Sequence, residues 1–372
     1  MSKKIKVLIV DDSALVRQML SKILEEDRDI EVVGVASDPY VARDKIKKLN
    51  PDVITLDVEM PRMDGITFLE NLMRLRPMPV VMVSTLTEKG ADTTFQALEL
   101  GAVDFVSKPK VDFSHSIQEY SDELICKVKV AAAANVRALD AGNAPVVKKV
   151  KLPALDRIPE IVPRLSADAI LRKNDKPGRY RKTDHIIAIG ASTGGTEAIN
   201  AMLMSLPADC PGIVVAQHIP EAFSRQIADR MNRTCKMRVC EAEDGMQINS
   251  GSVYISPGNR HLLVERDGTS LVCQLSDGPR VNRHKPSVEV LFRSVAQAAG
   301  PCSTGVILTG MGDDGARGIR EMKDVGASTV AQDENTSVVW GMPHEAIKHG
   351  GVDAVLPLQQ IASHIIKLAT NS

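Results

Sequence analysis

Short β-branched runs that stop at a polar residue and give way to helical spacing recur along this chain, and that alternation restricts it to few architectures. Lys6-Val-Leu-Ile-Val10 ends at Asp11-Asp12, and Leu15, Val16, Met19, Leu20, Ile23 and Leu24 follow at a helical period. The same change repeats through strands at 32–36, 53–57, 80–84 and 103–107, with helices running to Leu49, from Gly65 and to Leu100. Five such strands joined by helices predict a parallel sheet covered on both faces. The pattern returns in the second half, with strands at 186–190, 213–217 and 305–309 and helices at 196–204, 222–232, after Pro286 and at 361–368. A β-rich middle interrupts it, with a strand at 253–256 and a hairpin turning at Asp267-Gly268. The fold class is therefore α/β: a five-stranded parallel, flavodoxin-like domain, then a second doubly wound domain with an inserted β-hairpin.

A chain of 372 residues exceeds the roughly 250 at which single cores stop growing. The boundaries fall at 1–125 for the first domain, 126–183 for a linker and 184–372 for the second. In the linker, Pro145, Pro153, Pro159, Pro163 and Pro177 stand among Lys148, Lys149 and Lys151 without periodicity, the composition of a tether. A net charge of -1 gives no general drive toward nucleic acid, and no helix-turn-helix or basic recognition element is visible after residue 184. The start lacks a secretion signal and no run nears the ~20 apolar residues that span a bilayer, so a cytoplasmic protein with no direct membrane insertion is expected. The six cysteines show no Cys-x-x-Cys spacing and read as free thiols.

Open α/β sheets bind ligands at the carboxyl ends of their strands. In the first domain those ends carry Asp11, Asp12, Asp57, Ser84, Thr85 and, after the last strand, Lys108. Converging carboxylates repel one another, so a divalent cation, Mg²⁺, is the natural neutraliser, and one carboxylate can then accept a phosphoryl group. Lys108 would pair with a phosphate oxygen and the Ser84 hydroxyl would hydrogen-bond another. In the second domain, Gly190-Ala-Ser192-Thr-Gly194 places a serine on a tight strand-to-helix turn, a pattern shared by nucleophile elbows, plain turns and phosphate-binding loops. His218 follows the next strand and Asp313-Asp314 a later one, so a nucleophile, a base and an orienting acid are all present at one sheet edge. The glycines of Gly310-Met311-Gly312 allow turns that could aim N–H groups at an oxyanion. His261 and His284 compete with His218 for the base, and Asp313 competes with Asp314, one orienting the histidine while the other caps the next helix.

Two resemblances bear on these choices. Val10-Asp11-Asp12-Ser13, Leu56-Asp57-Val58-Glu59-Met60-Pro61-Arg62-Met63-Asp64-Gly65 and Ser107-Lys108-Pro109 resemble the receiver domain of bacterial response regulators. That resemblance implies Asp57 as phosphoacceptor, Asp11, Asp12 and Asp57 around Mg²⁺, Ser84 as switch hydroxyl, Phe105 as switch aromatic, and a histidine kinase as phosphodonor. Gly190-Ala-Ser-Thr-Gly-Gly195, Gln217-His218-Ile-Pro220, Ser256-Pro257-Gly-Asn-Arg-His261, His284-Lys-Pro-Ser287 and Leu308-Thr-Gly-Met-Gly-Asp-Asp-Gly315 resemble the catalytic domain of the chemotaxis protein-glutamate methylesterase (CheB) family. It implies Ser192 as nucleophile, His218 as base, Asp314 as orienting acid, and the backbone N–H groups of Thr193 and Met311 as oxyanion donors, with no cofactor for hydrolysis. Asp313 falls where that family often has Asn. The implied function is a phosphorylation-regulated serine hydrolase that demethylates glutamate methyl esters, and deamidates glutamines, on the cytoplasmic helices of chemoreceptors.

Overall fold

All five residues of the strands at Val53–Asp57 and Val80–Ser84 are buried, as a sheet packed on both faces requires. The computed structural model describes residues 3–84, 88–108, 116–134, 136, 164–174, 180 and 185–371, so Thr85, Pro109 and the linker prolines lie outside the described residues. The chain divides into two units, Met1–Asp156 and Arg157–Ser372.

In the first unit the elements run β1 (Ile5–Val10), α1 (Ala14–Glu25), β2 (Ile30–Ala36), α2 (Pro39–Leu49), β3 (Val53–Asp57), α3 (Gly65–Leu75), β4 (Val80–Ser84), α4 (Glu88–Glu99), β5 (Asp104–Ser107) and α5 (Ser116–Ala133). The strands are parallel in the order β2-β1-β3-β4-β5. Helix starts follow capping chemistry: the Asp38 carboxylate accepts from the Tyr40 and Val41 amides and Asp64 from the Thr67 amide. Helix α5 continues past residue 125 to Ala133, into the stretch read as linker.

In the second unit they are β6 (Ile186–Ala191), α6 (Gly195–Met204), β7 (Gly212–Gln217), α7 (Glu221–Thr234), β8 (Arg238–Glu241), β9 (Ser252–Ile255), β10 (His261–Asp267), β11 (Ser270–Ser276), α8 (Val288–Ala298), β12 (Ser303–Ile307), α9 (Ala316–Asp324), β13 (Ser328–Gln332), α10 (Met342–Lys348), β14 (Ala354–Leu356) and α11 (Leu358–Asn371). Seven strands form one sheet in the order β14-β13-β12-β6-β7-β9-β8, and β10 and β11 form the expected antiparallel hairpin. The chain winds from β6 outward in both directions, so the crevice beside β6 is a topological switch point. Helix α8 supplies Val288, Leu291, Phe292 and Val295 to the core between sheet and hairpin.

Part of the expected tether belongs to this second unit. Leu165 forms a β-bridge with Val281, and Ala167 is buried among Leu263, Val281 and Val290. Arg293 of α8 donates to the Asp168 carboxylate at 2.8 Å and to the Leu171 carbonyl at 3.1 Å. Residues 164–174 are thus a strap packed along α8, carrying apolar anchors that the surrounding basic and proline-rich composition hides. None of the six cysteines forms a disulfide.

Candidate functional site

The first unit gathers its charges at the carboxyl ends of β1, β3 and β5. Lys108 Nζ lies 3.0 Å from Asp11 Oδ2 and 2.8 Å from Asp57 Oδ2. Asp11, Asp12 and Asp57 each offer a carboxylate oxygen within 4.8 Å of the others, Asp12 exposed and the other two buried. An all-oxygen donor set of hard carboxylates with one member open to solvent fits Mg²⁺. Burial pushes the Asp57 carboxyl up to about 6, against the pull of Lys108 and with the help of the Asp11 charge. Burial alone would lower Lys108, but its bonds to Asp57 and Asp11 hold the ammonium above its ordinary range. Ser84 is buried at the end of β4, and its carbonyl accepts from the Lys108 amide at 2.6 Å. Phe105 is buried in β5, with the Lys127 amine 5.0 Å from its ring centroid.

The second unit builds its site around the turn after β6. Ser192 N donates to the Thr309 carbonyl at 3.0 Å, and the Ser192 carbonyl accepts from Gly195 N at 2.7 Å and from the Gln217 side-chain amide at 2.8 Å. Thr309 Oγ1 donates to the Thr193 carbonyl at 3.0 Å, which ties the turn to the segment after β12. Gly194, left-handed at φ 75°, ends the turn where α6 begins. Gly310 runs so close that a Cβ on it would lie 2.7 Å from the Ser192 Cβ.

His218 follows β7, directly paired with β6 as Ala191 with Gln217. Its Nε2 lies 2.9 Å from Asp314 Oδ2, while its Nδ1 is buried and has no hydrogen-bond partner. Asp314 is buried against the first turn of α8. Its Oδ1 accepts from Ser287 Oγ at 2.8 Å, Asn282 Nδ2 at 2.9 Å and Glu289 N at 3.3 Å, and its Oδ2 also accepts from Val288 N at 2.7 Å. Burial by itself would raise this carboxyl, yet His218 and the surrounding donors hold it well below the usual carboxylate range. A carboxylate at a helix N-terminus also meets the positive end of the helix dipole.

The alternatives separate on geometry. The Asp313 carboxylate pairs with Arg164 and not with His218. It does not cap α9 either, since the N-cap of that helix is Gly315 and no side chain bonds its first turn. His261 is buried, its Nε2 2.9 Å from the Pro279 carbonyl and its Nδ1 accepting from Ser287 N at 3.2 Å, so backbone groups occupy both nitrogens. His284 stacks on His218 with ring centroids 3.7 Å apart and planes 8° from parallel. Burial and the neighbouring imidazole push His284 down to about 3, so it stays neutral. Gln217, Thr309, Asn282 and Ser287 were not among the expected site residues. Only Ser287 carried a readable signal, a serine one residue before an apolar helix that it caps by accepting from Val290 N.

A phosphoacceptor-type receiver fold ahead of a doubly wound α/β unit is the build of a two-domain response regulator. Residues 7–118 match the response regulator receiver domain and residues 187–365 match the CheB methylesterase family. The protein-glutamate methylesterase/protein-glutamine glutaminase of Hydrogenovibrio crunogenus is 56% identical over 372 residues, which is 98% of this chain and 99% of the relative. The Xanthomonas campestris pv. campestris protein of the same name, numbered 1, is 55% identical over 368 residues, 99% of this chain and 98% of its own. The crystal structure of the Thermotoga maritima CheB methylesterase catalytic domain aligns at 35% identity over 50% of this chain and 98% of that one, with a TM-score of 0.48. The chain belongs to the CheB methylesterase family.

Proposed function

We propose that this chain hydrolyses γ-glutamyl methyl esters, and deamidates glutamines, on the cytoplasmic helices of chemoreceptors, under control of phosphorylation at Asp57. The observation that carries the reading is the bond from His218 Nε2 to the buried Asp314, which leaves Nδ1 as the nitrogen able to take a proton. Ser192 Oγ attacks the ester carbonyl while His218 Nδ1 removes its proton. The tetrahedral oxyanion is held by the N–H groups of Thr193 and Met311. Collapse breaks the C–O bond to the methoxy group, which leaves as methanol with the proton from His218. Water then attacks the acyl-enzyme with His218 again as base, releasing the glutamate side chain and restoring Ser192. For a glutamine the leaving group is ammonia.

In the receiver, Asp57 accepts the phosphoryl group from a histidine kinase, Lys108 pairs with a phosphate oxygen, and Ser84 and Phe105 respond to it. Asp11, Asp12 and Asp57 would hold Mg²⁺, which when bound supplies neutralisation of phosphate charge. No helix of the described residues is long and apolar enough to cross a membrane.

Methanol release from methylated receptor membranes, with and without a small phosphodonor, tests the reading. Ser192→Ala is expected to lose at least about 10⁴-fold in rate. Asp57→Ala is expected to keep the unstimulated rate and lose the stimulation. Full hydrolysis by Ser192→Ala would sink the mechanism, and equal stimulation of Asp57→Ala would sink the control.

A further inference from the structure

We propose that Arg164 is a positioning residue of the hydrolase site, acting through Asn282 on the carboxylate of Asp314. The proposal rests on the reading of Ser192, His218 and Asp314 as the catalytic triad. Its starting point is the tight turn from Val281 to His284. Val281 N donates to the His284 carbonyl at 3.0 Å, His284 N donates to the Val281 carbonyl at 2.8 Å, and the two central residues are left-handed, Asn282 at φ 50° and Arg283 at φ 71°. Neither is glycine, so each conformation is strained and persists only where the surroundings over-determine it. The turn delivers two groups to one place. Asn282 Nδ2 donates to Asp314 Oδ1, and His284 stacks on His218.

What fixes the turn comes from the strap. Asn282 N donates to the Leu165 carbonyl at 2.9 Å, and Arg164 Nε donates to Asn282 Oδ1 at 3.2 Å. A guanidinium has donors only, so its contact selects the carbonyl end of the Asn282 amide and turns the NH₂ end toward Asp314. Reversed, the amide would set its oxygen against a buried carboxylate. The same guanidinium pairs with Asp313, which holds that carboxylate on the strap side and away from His218. Arg164 lies near the start of the unit that begins at Arg157, so the chain reaches the triad almost as soon as it enters the hydrolase fold.

The experiment compares the full chain with Arg164→Ala, Arg164→Lys, Asn282→Ala and the double Arg164→Ala/Asn282→Ala, measuring kcat, KM and the pH dependence of kcat/KM for methanol release. The charged and titratable groups around the His218 and Asp314 pair are His261, His284, Asp313, Glu289, Arg280 and Arg164 itself. Each alanine single is expected to lower kcat about tenfold with KM nearly unchanged. Each is also expected to move the acid limb upward by about half a pH unit, because a carboxylate with one donor fewer holds the His218 proton more tightly. The double variant should be no worse than either single, and Arg164→Lys, which keeps the charge without the forked contact, should resemble Arg164→Ala. A lower folded fraction would scale the rate without moving the limb, so an unmoved limb overturns the proposal. So does an additive loss in the double, and full rescue by Arg164→Lys would overturn the route through Asn282 by assigning the effect to charge alone. Ser192→Ala runs alongside: if it still turns over, the triad reading fails, whereas an inert Ser192→Ala with a wild-type Arg164→Ala removes only the positioning role.

Discussion

At Asp57 the proposed phosphoacceptor is also a group the fold would rather not charge. Burial raises its carboxyl from 3.8 to about 6, while Lys108 at 2.8 Å limits the rise. Because the folded receiver binds this proton more tightly than the unfolded chain, ionised Asp57 costs stability above about pH 6 and nothing below about pH 4, up to about 3 kcal/mol in full. Asp57→Asn is therefore expected to raise the melting temperature of the receiver in metal-free buffer at pH 7. The gain should shrink as the pH falls from 6 to 4 and vanish below, and a gain that persists at pH 3.5 would contradict this origin. At the same scale, the proposed serine and histidine stand out because each directly follows a strand, whereas Asp314 lies on the loop between β12 and α9. Asp313 and Asp314 could not be told apart by spacing, since adjacent residues share any spacing. What separates them is the long-range partner of each, the α8 amides for one and Arg164 for the other.

Among the elements, long apolar runs were readable and short polar ones were not. The hairpin stood out from Asp267-Gly268, and the observed β10 and β11 pair up to Asp267 with Ser270. Strand β8, Arg-Val-Cys-Glu, is an edge strand with a charge at each end and offers no alternation to detect. The strap was hidden for a different reason: its few apolar anchors sit in a stretch whose composition is that of a tether. Its ion pairs predict an unequal response to substitution. Arg293 is buried and holds Glu321 through two bonds of 2.7 and 2.8 Å, with Asp168 on a third donor. Arg293→Ala strands a half-buried carboxylate and is expected to cost about 3–5 kcal/mol in denaturant unfolding. Asp168, whose side chain is 59% exposed, should cost under about 1 kcal/mol when changed to Ala, and equal losses would refute the assignment of Arg293 as the strap's main anchor.

For the molecule as a whole, the alternation of strands and helices predicted both sheets, because a parallel sheet needs each crossover helix and so writes its topology into the order of elements. How strands rank across the sheet is not written there, and the switch point beside β6 emerges only from the pairing. The separation into two units, each with its own sheet, predicts a thermal response divided in the same way. Mg²⁺ is expected to raise the receiver transition by mass action and to leave the hydrolase transition in place. Asp12→Ala should abolish the rise, and a rise of equal size in that variant would exclude the three-aspartate site.

The strand order β12-β6-β7 also dictates which ring nitrogen does what. The serine strand lies between the histidine strand and the one whose loop carries the acid, with neighbouring strands about 4.8 Å apart. A side chain reaching from one flank to the other must span the middle, so its far nitrogen, Nε2, meets Asp314 and its near nitrogen is left for the strand it crosses. In the serine-protease arrangement the assignment is the opposite, with Nδ1 turned to the aspartate. The tautomer is thus a property of the sheet's permutation: a rearranged sheet with the serine strand on the outside would need the other nitrogen, even with the same three side chains.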